Sequence, residues 1–273
     1  ETPIIKVDNS TDITIRGLVI DGKNEVDPFG YSWGGTPTGV GILFKDSTGT
    51  IDGNEVRNFK LNSYPVERRG TPVGTGIIVL YDCPKVTIKG NDIIDYHASG
   101  IRLCYGVEGN IINIIDNVIT GRGPQGFYSG ESIRIDAAST VNIIGNELSN
   151  NIYTHEDYFE YDAAGVTIDG GLGWLPVVNI RENDILNNTF GIIVERADGA
   201  VVEAHFNNIV GNGVVSTAPN RGGATAQDVR VGIADPNVWP INTTLNATYN
   251  WWGDVTGPEH ATLNLGAQGD AVS

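Results

Sequence analysis

One phrase of six residues returns along this chain: apolar, two variable positions, asparagine, one variable position, apolar. It reads Ile51-Asp52-Gly53-Asn54-Glu55-Val56, Ile88-Lys89-Gly90-Asn91-Asp92-Ile93, Ile114-Ile115-Asp116-Asn117-Val118-Ile119, Ile143-Ile144-Gly145-Asn146-Glu147-Leu148 and Ile180-Arg181-Glu182-Asn183-Asp184-Ile185. Looser copies stand at Ala204-His205-Phe206-Asn207-Asn208-Ile209 and Ala247-Thr248-Tyr249-Asn250-Trp251-Trp252, and in Ile15-Arg16-Gly17-Leu18-Val19-Ile20 leucine replaces the asparagine. An internal repeat fixes architecture before any single motif does. The asparagines lie between 24 residues (Asn183 to Asn207) and 43 residues (Asn207 to Asn250) apart. Steps so uneven exclude a strictly periodic repeat and suit coils that share a turn and carry loops of different length.

Between the asparagines a second phrase recurs: Gly39-Val40-Gly41-Ile42, Gly76-Ile77-Ile78-Val79, Gly100-Ile101-Arg102-Leu103, Ser132-Ile133-Arg134-Ile135, Gly165-Val166-Thr167-Ile168 and Gly191-Ile192-Ile193-Val194. Each is a short β-branched strand opened by a small residue. Every repeat thus supplies two or three short strands, and no long amphipathic helix is present. Stacked coils of this kind make an all-β, right-handed parallel β-helix, with apolar ladders inside. An asparagine at one fixed bend would then stack on the next as an internal amide ladder; the alternative is an ordinary surface turn residue. A β-sandwich or propeller competes, and the repeat phrases do not supply the Asn-Gly hairpin turns it would need.

These coils resemble the right-handed β-helix repeats of the pectin-lyase-like superfamily, especially the branch similar to copper-maturation periplasmic and surface proteins. The segment Asn246-Ala247-Thr248-Tyr249-Asn250-Trp251-Trp252-Gly253-Asp254, followed by Gly257-Pro258, resembles the closing coil of many archaeal and bacterial surface β-helices. In such relatives a run like Gly269-Asp270-Ala271-Val272 leads into a last aromatic strand, whereas this sequence ends at Ser273. The resemblance implies one β-helix domain over 1–273, closed by 246–273 and excised from a longer secreted or surface protein. It implies little about activity, because the superfamily holds lyases, hydrolases, epimerases and non-enzymes.

Composition narrows the partners. With 33 acidic against 17 basic side chains the net charge is −16, which argues against nucleic acid, whose phosphates need a basic face. No segment approaches the roughly 18 apolar residues of a membrane span. Methionine is absent and Glu1 leads almost directly into Ile4-Ile5-Lys6-Val7, the start expected of a piece processed or excised from a longer chain. Sequons at Asn9, Asn187, Asn242 and Asn246 permit glycosylation. Cys83 and Cys104 fall in successive coils at different offsets from Gly76 and Gly100, which leaves a disulfide and two buried thiols both open.

Strand alternation places the remaining side chains. If Ile101, Leu103, Ile133, Ile135, Val166, Ile168, Ile192 and Val194 point inward, one outward column reads Gly41, Ile78, Arg102, Arg134, Thr167, Ile193. The next reads Leu43, Leu80, Cys104, Asp136, Asp169, Glu195. With coils about 4.8 Å apart, Arg102 and Arg134 become neighbours beside three stacked carboxylates. Asp136, Asp169 and Glu195 are therefore candidate calcium ligands, and with Arg102 and Arg134 a candidate catalytic group for cleaving or eliminating at a uronate-bearing polysaccharide. The plain alternative is alternating charge on a solvated sheet, worth little energy.

Aromatic loops are the second signal. Lys23 to Thr38 carries Tyr31 and Trp33, Phe59 to Thr75 carries Tyr64, Gly121 to Glu131 carries Tyr128, and Ile152 to Asp162 carries His155 and Tyr158. All leave the coil just before a Gly-led strand, so they gather on one side. With Tyr105 these aromatics are candidate sugar-stacking residues, unless the loops simply cover an apolar flank. His97 and His155 are lesser candidates for a base. Trp251 and Trp252 read as a plug for the last coil. No His-Glu-x-x-His, Gly-x-Ser-x-Gly or phosphate-cradling loop occurs. Three functions follow: a secreted or cell-surface module that binds glycans or acts as a spacer, a calcium-assisted polysaccharide lyase, hydrolase or epimerase, and a filament subunit self-associating through its coil ends.

Overall fold

The computed structural model describes residues 3–23, 39–59, 74–125, 130–153, 163–170, 173–195, 197, 199–213, 227–231, 245–258, 264–269 and 271–272. Among these residues every regular element is a β-strand, and all strand pairs are parallel. The first sheet runs Ile5–Asp8, Val40–Lys45, Thr75–Leu80, Ser99–Cys104, Glu131–Asp136, Ala164–Asp169, Phe190–Glu195, Gln227–Val231 and Ala271–Val272. A second sheet runs from Ile13–Arg16 to Leu245–Asn246, and a third from Val19–Asp21 to Asn208–Val210. In each sheet the strand order follows the chain, so every coil advances one step along the same axis: a parallel β-helix. In chain order the ranges 24–38, 60–73, 126–129 and 154–162, on which the aromatic-loop expectation falls, stand between a third-sheet strand and the next first-sheet strand and lie outside the described residues.

Alternation within the strands explains the core. In Lys85–Lys89 the lysines face water while Val86 and Ile88 are fully buried. Repeated through the coils, this period of two builds one apolar column set from Val7 and Ile15 to Trp252.

The asparagines form the expected ladder. The Nδ2 group of each donates to Oδ1 of the next at 2.9 Å through Asn54, Asn91, Asn117, Asn146, Asn183, Asn207 and Asn250. The same oxygen also accepts from the preceding asparagine's backbone N–H, as at Asn91 and Asn117 (3.0 Å). Leu18 joins through its backbone alone, donating to Asn54 Oδ1 at 3.1 Å. A second ladder, Asn151, Asn188 and Asn212, lines the corner between the third and first sheets and is entered by the buried Tyr96 hydroxyl, 2.6 Å from Asn151 Oδ1. The sequence reading missed it because these asparagines lie outside the six-residue phrase.

The residue before each ladder position has left-handed backbone: Gly17, Gly53, Gly90, Asp116, Gly145, Glu182, Phe206 and Tyr249. Glycine takes that conformation freely, whereas a side chain there costs about 1 kcal/mol.

Two expectations change, and the open choice for the cysteines is decided. Ile42 pairs with Ile77, so Gly41, not Gly39, stands level with Gly76; a Cβ on Gly41 would come 2.6 Å from the Gly76 carbonyl oxygen. The outward columns therefore read Leu43, Ile78, Arg102, Arg134, Thr167, Ile193 and Lys45, Leu80, Cys104, Asp136, Asp169, Glu195. Cys83, between Thr75–Leu80 and Lys85–Lys89, packs in the interior while Cys104 lies in the outer cluster of the first sheet, and the two are free thiols. Trp252 (7% exposed) closes the core, but Trp251 (46% exposed) lies outside it and pairs by its backbone with Asn207 and Ile209.

Asn117→Ala is expected to lower stability by about 3 kcal/mol, because it strands the buried Asn91 N–H and weakens the bonds to Asn146 and Ile88. Asn250→Ala, at the half-exposed end, should cost about half as much, as read from urea midpoints. Burial raises both thiols, Cys104 to about 11, so neither is expected to react with a thiol reagent until the protein unfolds.

Candidate functional site

The first sheet's outer wall carries the arginines and carboxylates that the sequence singles out. Strand register stacks Arg102 on Arg134, with Cys104 level with Asp136. Both guanidinium groups then reach sideways. Arg102 Nε donates to Asp136 Oδ2 at 2.8 Å and its Nη2 lies 2.6 Å from the same oxygen. Arg134 donates to three carboxylates: Asp136 Oδ1 (2.8 Å), Asp169 Oδ2 (2.6 Å) and Glu131 Oε1 (2.8 Å). Glu131, absent from the sequence candidates, opens the same strand as Arg134, three residues upstream, and also accepts from Ser99 Oγ at 3.2 Å. A carboxylate three residues before an arginine in a strand carries no sequence signal by itself.

This wall is not solvated. Asp136 and Asp169 keep 6% and 4% of their surface, and Leu43, Ile78 and Thr167 in the adjoining column keep none. The reading of a weak surface ion-pair network therefore gives way to a buried one, in which each charge depends on its partners. Burial works against the Asp136 carboxylate, but the Arg102 and Arg134 guanidiniums outweigh it and hold this carboxyl below its ordinary value. For Glu131 burial wins over the same two arginines and the carboxyl is raised.

Asp136, Asp169 and Glu195 are the residues set out above as calcium ligands. Glu195 follows Asp169 in register, while its side chain lies outside the described residues. Asp136 and Asp169 accept from guanidinium groups, and among the described residues no group of three His, Cys, Asp or Glu side chains is placed to hold a metal ion. His97 is buried, and that burial, with Arg122 nearby, depresses its pKa to about 3, so it stays neutral at physiological pH.

An aromatic corner adjoins this network. Tyr81 and Tyr105 each follow a first-sheet strand in left-handed conformation and lie 5.7 Å apart, ring to ring. Trp174 meets Tyr105 edge-on at 5.4 Å, and Lys45 Nζ sits 5.9 Å from the Tyr81 ring. All three rings are half-buried. The sequence offers Tyr105 for sugar stacking but not Tyr81 or Trp174, since only the stacking of distant segments unites the three. Tyr31, Trp33, Tyr64, Tyr128, Tyr158 and His155 lie outside the described residues. The assembled rings present a half-buried aromatic edge, while the charged groups beside it are enclosed and engaged by one another.

The family model describing a right-handed β-helix region matches residues 3–173 and 40–228. Neither the curated proteins nor the solved structures yielded a match.

Asp136→Asn is expected to lower stability at pH 7 by about 3 kcal/mol, since it leaves two largely buried guanidiniums short of a counter-charge. Glu131→Gln should cost less, because burial already disfavours its charged form. The Asp136 carboxyl titrates in the folded state below its ordinary 3.8, so its contribution is complete above that value and disappears as pH falls through the lower folded one. In urea unfolding the gap between wild type and Asp136→Asn should hold from pH 7 down to about pH 4 and narrow as pH falls further below 3.8. Equal stability at pH 7 would deny the network any net stabilising role.

Proposed function

Because the chain belongs to the right-handed β-helix family, we propose that it is a glycan-binding module working outside the cell or at its surface. The observation that carries this reading is the Tyr81, Tyr105 and Trp174 corner beside the Arg102–Arg134 network. A sugar ring has an apolar C–H face that lies well against an aromatic ring, and hydroxyls that need donors and acceptors at its rim. Left-handed tyrosines on successive coils keep their rings at a fixed separation, which favours an extended, repeating ligand over a compact one.

Binding without turnover has the better support. Arg102 and Arg134 are committed to Asp136, Asp169 and Glu131, so a uronate would compete with three carboxylates already in contact. His97 is buried and neutral, a poor base for elimination. The filament reading loses support at one corner. Asn250 turns its amide onto the Ala204 and Ala247 carbonyls, and at the other end Leu18 spends its backbone N–H on Asn54 and has no amide oxygen to accept from a further coil.

Neutral and uronate polysaccharides, with calcium or with chelator, should show retention of the protein without new reducing or unsaturated ends. Tyr105→Asn, which keeps a left-handed-tolerant residue but removes the ring, is expected to weaken binding about tenfold, equivalent to roughly 1.4 kcal/mol. New chain ends that vanish in Arg102→Lys would replace this reading with an enzymatic one.

A further inference from the structure

The bend before the ladder is built eight times, and six of its occupants are Gly17, Gly53, Gly90, Asp116, Gly145 and Glu182. Those coils turn correctly without a ring. The last two occupants are Phe206 and Tyr249, bulky residues in a conformation that side chains avoid. Their rings stack nearly parallel, 5.7 Å apart at 12°. A stack serving the core would be buried, yet Phe206 is 58% exposed and Tyr249 78%.

Beside the rings, on the outer face of the second sheet, lies a row of polar groups already joined together. Glu203 Oε2 is 2.7 Å from His205 Nε2 and accepts from Asn246 Nδ2 at 2.7 Å. Thr248 Oγ1 donates to Asn246 Oδ1 at 3.2 Å, and its carbonyl lies 2.9 Å from His205 Nδ1. The His205 ring stands 6.3 Å from both aromatic rings, so the polar row and the apolar platform share one edge.

We propose that Phe206 and Tyr249, with Glu203, Asn246 and Thr248, form a second carbohydrate site that takes a neutral pyranose. The exposed ring faces cover the C–H face of the sugar, and the carboxylate, amide and hydroxyl meet its hydroxyls. An anionic sugar is disfavoured because it must approach Glu203 on a protein of net charge −16, and the uncharged amide and hydroxyl beside that carboxylate suit the hydroxyls of a neutral one. The assignment shares the glycan reading of the module but stands on different residues, at a different corner and in later coils than Tyr81 and Tyr105.

The test is the double variant Phe206→Gly, Tyr249→Gly, run beside Tyr105→Asn and Glu203→Gln on cellulose, chitin, starch and mannan. Restoring glycine to the left-handed bend should leave the melting temperature unchanged or higher, while retention on the neutral polymer falls at least tenfold. Glu203→Gln should weaken retention severalfold with no change in melting. If the double variant melts lower and binds as before, the stack is structural and the second site is overturned. Binding lost in Tyr105→Asn alone would keep the first site and remove this one. Retention by uronate polymers only, or by none of the four neutral ones, would also overturn it.

Discussion

A buried amide that must bond on both sides holds this molecule in register. Each inner ladder asparagine, from Asn91 to Asn207, accepts two hydrogen bonds at Oδ1 from the coil before it and donates through Nδ2 to the coil after it, as at Asn117. A one-residue slip would strand buried polar groups and turn inward isoleucines outward, so the two penalties enforce the same alignment. Strand propensity alone would do this weakly, because runs such as Ile111–Ile115 carry isoleucines on both faces and only Asn113 marks the outer one.

Everything on the outer wall depends on that alignment. Arg134 reaches Asp136 within its own strand, and Asp169 only because register stacks the next coil beside it. The same stacking turns isolated tyrosines, Tyr81 and Tyr105, into a ring pair, and does so again for Phe206 and Tyr249. The solenoid thus converts single residues, distant in sequence, into columns with a fixed spacing. A column of glycines makes only a bend, whereas aromatic residues at the same place make a platform, at the cost of a strained backbone.

In the proposed reading the charged and aromatic columns divide the work. Two arginines and three carboxylates, almost wholly enclosed, are well suited to rigidity and poorly suited to catalysis, because each group is engaged by another. The aromatic corners keep surface free to meet a ligand. Membership of the right-handed β-helix family settles the scaffold, and the chemistry belongs to what the coils display on it.

The architecture was legible in the chain because the repeat is local: six residues encode a bend, a ladder position and two inward side chains, and even Leu18 takes its predicted place. The stacking of Arg102 on Arg134 followed from strand alternation and a single alignment of Gly-led phrases. That alignment failed where two glycines competed, Gly39 and Gly41, since only contact with the Gly76 carbonyl distinguishes them. Burial of the outer wall, the part played by Glu131, the separation of Cys83 from Cys104 and the pairing of Phe206 with Tyr249 were decided by tertiary structure. Each depends on which segments lie one coil apart, and loops of unequal length keep that spacing from being read as a distance along the sequence.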